Sequence, residues 1–192
     1  MACGTLTKGR GLDCNRTAGG IKAIFFGVYD EFDDPISTTG IVQSAGEITD
    51  IQMGGNDLYR YILPLGTATV SEAITGSTEN GSIFYAPTVT IMLNGLSKAD
   101  QNQIKLLAAT KVVIFAQLNA KLAGIDVIIG LGVTNGMNLN SGTIDSGAAF
   151  GDRNGYSLTF TGMEPLPFAT VAPYTTAPFD NAAFAINAIV TS

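Results

Sequence analysis

Residues 80–110 read NGSIFYAPTVTIMLNGLSKADQNQIKLLAAT, and they change periodicity halfway along. From Thr88 to Asn94 the chain alternates: Val89, Ile91 and Leu93 share one face, and Thr88, Thr90, Met92 and Asn94 share the other. That period of two predicts a half-buried β-strand. After Gly95 the pattern switches. Ser97 can cap a helix, with Asp100 three residues on in a short-acid variant of the capping box. Ile104, Leu107 and Ala108 then form one stripe, with Asn102 and Lys105 off it, which predicts a helix over about 97–109.

Outward from this stretch the sequence reads as strands. KVVIFAQL (111–118), a turn at NAK (119–121) and LAGIDVIIGLG (122–132) lead to Thr134-Asn135-Gly136, a hairpin signal. MNLNSGTI follows, then a Gly-, Ser- and Asp-rich loop over 141–155. A strand over 155–163 sets Tyr156, Leu158 and Phe160 against Ser157, Thr159 and Thr161. Upstream, GGIKAIFFGVYDEF (19–32), EITDIQM (47–53), DLYRYILPLG (57–66) and TATVSEAITGS (67–77) read as further strands. Many strands and one helix predict a mainly β fold: an antiparallel β-sandwich or barrel with one flanking α-helix and extended arms. The expected division is an N-terminal arm (1–18), a β domain (19–163) and a C-terminal arm (164–192). That last arm carries Pro165, Pro167, Pro173 and Pro178 with weak periodicity. Its Phe168, Phe179, Phe184 and Ile186 need cover, either on a neighbouring subunit or on their own domain.

Composition excludes several functions. The 192 residues contain no His, which removes Ser-His-Asp and Cys-His nucleophilic systems and HExxH metal sites. The carboxylates Asp30, Glu31, Asp33 and Asp34 read as a solvated turn closed by Pro35, and no catalytic set stands. GLGVTNG (130–136) has one residue too many for a dinucleotide fingerprint and no apolar helix after it. FGDRNG lacks the ligand spacing of a calcium loop. Cys3 and Cys14 are either free thiols or one disulfide, and two cysteines without His make no structural zinc site. No cofactor is therefore expected. The net charge of −6 argues against a nucleic-acid reader, because phosphate binding needs clustered Lys and Arg. The longest apolar run, 121–133, holds Asp126 and falls short of the roughly 20 residues of a spanning helix, so no membrane insertion is expected. The opening MACGTLTKGRGLDC has no apolar segment of the secretory type. Charged residues are only 14% of a chain with positive mean hydropathy, which suggests a surface largely covered by other protein.

Three stretches carry a resemblance. ENGSIFYAPTVTIMLNGLSKADQNQIKLLA (79–108), SGTIDSGAAFGDRNGYSLTFTGMEPLPF (141–168) and LTKGRGLDC…GGIKAIFFGVYD resemble the tail tube proteins of tailed bacteriophages, in particular phages of Bacteroidetes-type hosts. The likeness spans most of residues 5–168. The tail after Glu164 and the apolar VIIGLGVTNG depart from it. The resemblance implies a virion structural protein: six copies closing a ring, rings stacking into a tail tube, and a typically negative lumen through which DNA passes without tight binding. Partners would be copies of the chain and other tail proteins, with assembly in the host cytoplasm. On this reading 141–155 reaches an adjacent subunit, and Asp145, Phe150, Asp152, Arg153, Phe168, Phe179 and Phe184 are the candidate inter-subunit contacts. The alternatives are a capsid decoration or tail-terminator protein, or a carbohydrate- or receptor-binding β module.

Overall fold

A computed structural model of the chain describes residues 9–10, 18–32, 40–77, 79–122, 124–173 and 179–191. Cys3, Cys14, Asp33, Asp34, Pro35 and most of the 1–18 arm lie outside the described residues. The fold is mainly β with one helix, as the alternating segments predict. Strand β6 (Ser82–Asn94) and helix α1 (Lys98–Ala109) form as read. Ser97 caps α1: its Oγ accepts the Asp100 N–H at 3.0 Å and its hydroxyl donates to Asp100 Oδ2 at 2.6 Å.

Two groups of strands make the sandwich. In the first, β4 (Leu58–Ile62), β1 (Ile21–Val28), β7 (Val112–Leu122) and β8 (Ile125–Leu131) pair antiparallel in that order. The sheet continues through β11 (Ala169–Val171) to β3 (Glu47–Gln52), which β2 (Ile41–Ser44) flanks on its other side. In the second group, β5 (Ala68–Ser77), β6, β10 (Gly155–Gly162) and β9 (Met137–Asp145) form a fully antiparallel four-stranded sheet. The groups meet where Met137 of β9 pairs with Val112 of β7.

β7 explains the architecture. Its Val113 and Phe115 enter one hydrophobic core, and Val112, Ile114 and Ala116 enter a second. β1 does the same with Ala23 and Phe25 against Ile24 and Phe26. A strand buried on both faces needs no polar alternation, which is why VVIFA is a continuous apolar run. The second core lies between this middle layer and the β5–β6–β10–β9 sheet, whose Val89, Ile91, Tyr156, Leu158 and Phe160 are all buried in it. β7 starts beside β9, and its Leu118 lies near β5, so the four strands are laid across β7 as in orthogonal sheet packing.

Three expectations need correction. β7 runs through Asn119–Lys121 to Leu122, with a register shift between Gln117 and Lys121, and the chain turns at Gly124 (φ +86°). The Thr134-Asn135-Gly136 turn joins no hairpin: β8 and β9 pair with other strands, and the turn carries the chain between the two groups. Residues 141–145 belong to β9, so the loop shrinks to 146–154.

The described parts of 164–192 fold back on their own domain. β11 fills the gap between β8 and β3, β12 (Phe184–Ala185) pairs with β3 and β13 (Ile189–Val190) pairs with β4. Phe179 is buried edge-on against Phe25 and Phe115, with ring centroids 5.0 and 5.2 Å away.

Candidate assembly surface

Among the described residues the four-stranded sheet ends in two open edges. There β5, ten residues long, pairs only with β6; β9, nine residues long, pairs with β10 and touches β7 through Met137 alone. Glu72 is the one charged residue of β5, and Asp145 is the one charged residue of β9. Long, nearly uncharged edges are the kind that soluble monomers avoid, because their free N–H and C=O groups template further pairing.

The hydrogen-bond phase says which residues offer those groups. The Met92 N–H donates to the Thr67 carbonyl at 2.8 Å, and the Gly95 N–H donates to the Asn154 carbonyl at 3.0 Å. Alternation along antiparallel ladders then turns the backbone groups of Ala68, Val70, Glu72, Ile74 and Gly76 to the open edge of β5. The same count turns those of Gly142 and Ile144 to the open edge of β9. Strand directions are also fixed: β5 and β10 run one way, β6 and β9 the other. A second copy placed with its β5 beside β9 would therefore continue the antiparallel alternation.

The face of this sheet turned away from the core is hydroxyl-rich. Registered rows across it run Thr69, Thr90, Thr159, Ser141 and Met92, Ser157, Thr143. Thr90 and Thr159 lie 3.4 Å apart through their hydroxyls. Asp145 stands at the end of the sheet, 3.7 Å from Arg153. These rows are neutral, where the resemblance implies a negative lumen. A neutral hydroxyl surface is hydrated but holds no phosphate by charge.

The loop 146–154 is ordered by its own groups. Asp152 accepts the N–H groups of Ala148 and Ala149 at 3.0 and 2.7 Å, and these bonds hold its carboxyl below the ordinary aspartate range. Phe150 stands wholly exposed at the tip. Of the other candidate contacts, Phe168 is exposed on the β5 flank, and its N–H donates to the Glu72 carboxylate at 3.1 Å. Phe184 is half-buried beside Phe179. Asp145, Phe150, Asp152 and Arg153 are thus brought together at one end of the sheet, Phe168 lies on another flank, and Phe179 is inside.

Sequence reading passed over Glu164. It is 5% exposed, and its carboxylate accepts the N–H groups of Thr134 and Asn135 at 3.0 and 2.9 Å. Its main chain exchanges both hydrogen bonds with Tyr85, at 2.7 and 2.9 Å. Burial raises its carboxyl above the ordinary glutamate range, with the turn's N–H groups pulling the other way. Glu72 is raised too, by burial and by the charge of Glu164. Both acids clip the 163–168 connection in place, which is a structural duty. No cluster of three or more metal-ligating acids or cysteines occurs among the described residues, and no helix there is long and apolar enough to cross a membrane.

No family model, curated protein or solved structure matches the chain.

Proposed function

We infer that the chain is a structural subunit that assembles with copies of itself, and we propose the tail tube of a tailed bacteriophage as its place. One observation carries the reading: a four-stranded antiparallel sheet with two long, nearly uncharged open edges whose directions let the next copy continue it. Pairing β5 of one copy with β9 of the next is a head-to-tail contact, and a head-to-tail contact that closes makes a ring. Closure would satisfy both edges of this sheet. In such a ring the hydroxyl-rich face would line the hole, since the other face is committed to the second core. A neutral lining on a chain of net charge −6 lets a polyanion slide without capture.

A carbohydrate- or receptor-binding module is less well supported. Among the described residues the exposed aromatics Tyr59, Phe150 and Phe168 stand on β4 and on two separate connections. The test is negative-stain microscopy of concentrated pure protein. Rings or tubes with a central hole are expected; featureless monomers at high concentration would refute the proposal.

A further inference from the structure

Four Asn-Gly dipeptides occur in the chain, at Asn80, Asn94, Asn135 and Asn154. This pair is chemically prone to deamidation. The backbone nitrogen of the glycine attacks the asparagine Cγ, and a glycine, lacking a Cβ, puts least in the way. Attack needs a free N–H, a mobile side-chain amide and a backbone able to leave its paired geometry. The fold therefore decides which of the four can react.

Three are held. The Gly95 N–H donates to the Asn154 carbonyl at 3.0 Å, and Asn94 pairs with Gly155 at the end of β6. The Gly136 N–H donates to the Gly132 carbonyl at 3.0 Å. Asn135 is fixed as well: its side-chain amide donates to the Met163 carbonyl at 2.7 Å and its N–H to Glu164 at 2.9 Å. Asn154 gives its carbonyl to Gly95, and the Gly155 that follows is set in β10 between Asn94 of β6 and Asp145 of β9.

Asn80 is placed differently. β10 pairs with β6 only from Thr88 to Asn94, so the outer part of the β5–β6 hairpin projects as a two-stranded arm, tied back by the Tyr85–Glu164 bridge. A two-stranded ribbon opens readily in water. Asn80 and Gly81 are exposed at its tip, beyond the last pair, Ser77 with Ser82. Among the described residues the Asn80 side-chain amide has no hydrogen-bond partner, and its backbone N–H donates to Ser77 Oγ at 3.3 Å. No other part of the fold crowds Gly81, since a Cβ built there would meet nothing within 4 Å.

We propose that Asn80 is a self-modification site, the one Asn-Gly of the four that the folded chain leaves free to deamidate. The Gly81 nitrogen gives up its proton and bonds to Asn80 Cγ; the Cγ–Nδ2 bond breaks, and ammonia leaves with that proton, closing a succinimide. Water then opens the ring, at Cγ to give aspartate or at the α-carbonyl to give isoaspartate. Either product sets a second carboxylate beside Glu79 at the tip of the arm. The site is independent of the assembly reading.

The test incubates the full folded chain at mildly alkaline pH, where the attacking nitrogen loses its proton more readily, and follows each Asn-Gly by peptide mass mapping. A held site must first open locally, which divides its rate by the opening equilibrium. Asn80 should convert roughly tenfold or more faster than Asn94, Asn135 and Asn154. In urea the four rates should converge. Isoaspartate-specific enzymatic methylation should label the aged wild type, and Asn80→Gln should lose most of that label with its circular dichroism spectrum unchanged. A stable Asn80, or equal rates at all four sites in the folded chain, would overturn the proposal.

Discussion

The carboxylate of Glu164 lies 2.9 Å from the amide nitrogen of Asn135, fastening the segment that leaves β10 to the turn between β8 and β9. Tyr29 secures the same turn from the other side, its hydroxyl donating to the Thr134 carbonyl. The turn passes the chain between the two strand groups, so its anchoring holds their relation. Glu164→Ala leaves two N–H groups without their acceptor and should cost about 2 kcal/mol in urea unfolding; Glu164→Gln keeps an acceptor oxygen and should cost less. The pH dependence follows from the sign of the shift. A carboxyl raised on folding contributes stability that is full below the ordinary glutamate range and is lost as pH rises through the raised value. Wild type should therefore gain stability relative to Glu164→Gln as pH falls from neutral into that range. A constant difference between the two urea midpoints would contradict this.

Asp126 has the opposite sign. Its carboxylate takes a hydrogen bond from Lys22 at 2.7 Å, which holds it below the ordinary aspartate range, with Gln117 at 2.9 Å and Lys121 at 3.8 Å adding to the effect. Such a group stabilises the fold above the ordinary aspartate range and loses that contribution as pH falls through its lowered value. The lysines are exposed, so Asp126→Asn should cost only about 1 kcal/mol at neutral pH. That cost should vanish in acid, as followed by thermal unfolding of both proteins across the range.

Gly155 opens β10 at φ +150°, and a Cβ there would stand 2.0 Å from the carbonyl oxygen of Leu93. The obstruction is backbone of the paired strand and cannot rotate away. Gly155→Ala should cost about 2 kcal/mol or more, a fall of roughly 4–8 °C in Tm for a domain of this size. Gly151, with open space around it, is the control and should tolerate Ala with little change.

Ile74 lies on the β5 edge with its side chain 68% exposed and its N–H turned away from β6. Proline there removes an edge donor without breaking the β5–β6 ladder. Ile74→Pro should keep the monomer folded within about 1 kcal/mol and suppress assembly. Light scattering during gel filtration reads both outcomes, and normal rings from this variant would mean that β5 is not an assembly edge.

Period and capping carried the local elements. Val89, Ile91 and Leu93 alternate against threonines, and Ser97 precedes a helical stripe; these signals involve neighbours a few residues apart and survive any tertiary setting. The expected turn at Asn119–Lys121 did not form, because pairing with β8 across a register shift holds those residues in β7. The hairpin signal at Thr134-Asn135-Gly136 marked a turn correctly and its partners wrongly, since turn chemistry fixes a chain reversal and not which strands pair. Candidate contacts were legible only as loop composition: Asp152 and Arg153 were visible, while residues 141–145 were read as loop and belong to β9.

By itself the sequence determined that this chain is a β protein with one capped helix and no histidine chemistry, because composition and short-range periodicity depend on local sterics and residue type. Only tertiary structure decided that β7 is buried on both faces, that Phe179 returns to its own core, that Glu164 clips the inter-sheet turn and that β5 and β9 flank the four-stranded sheet among the described residues. Each depends on which distant segments pair and what they exclude from water, and no window of neighbouring residues contains that information.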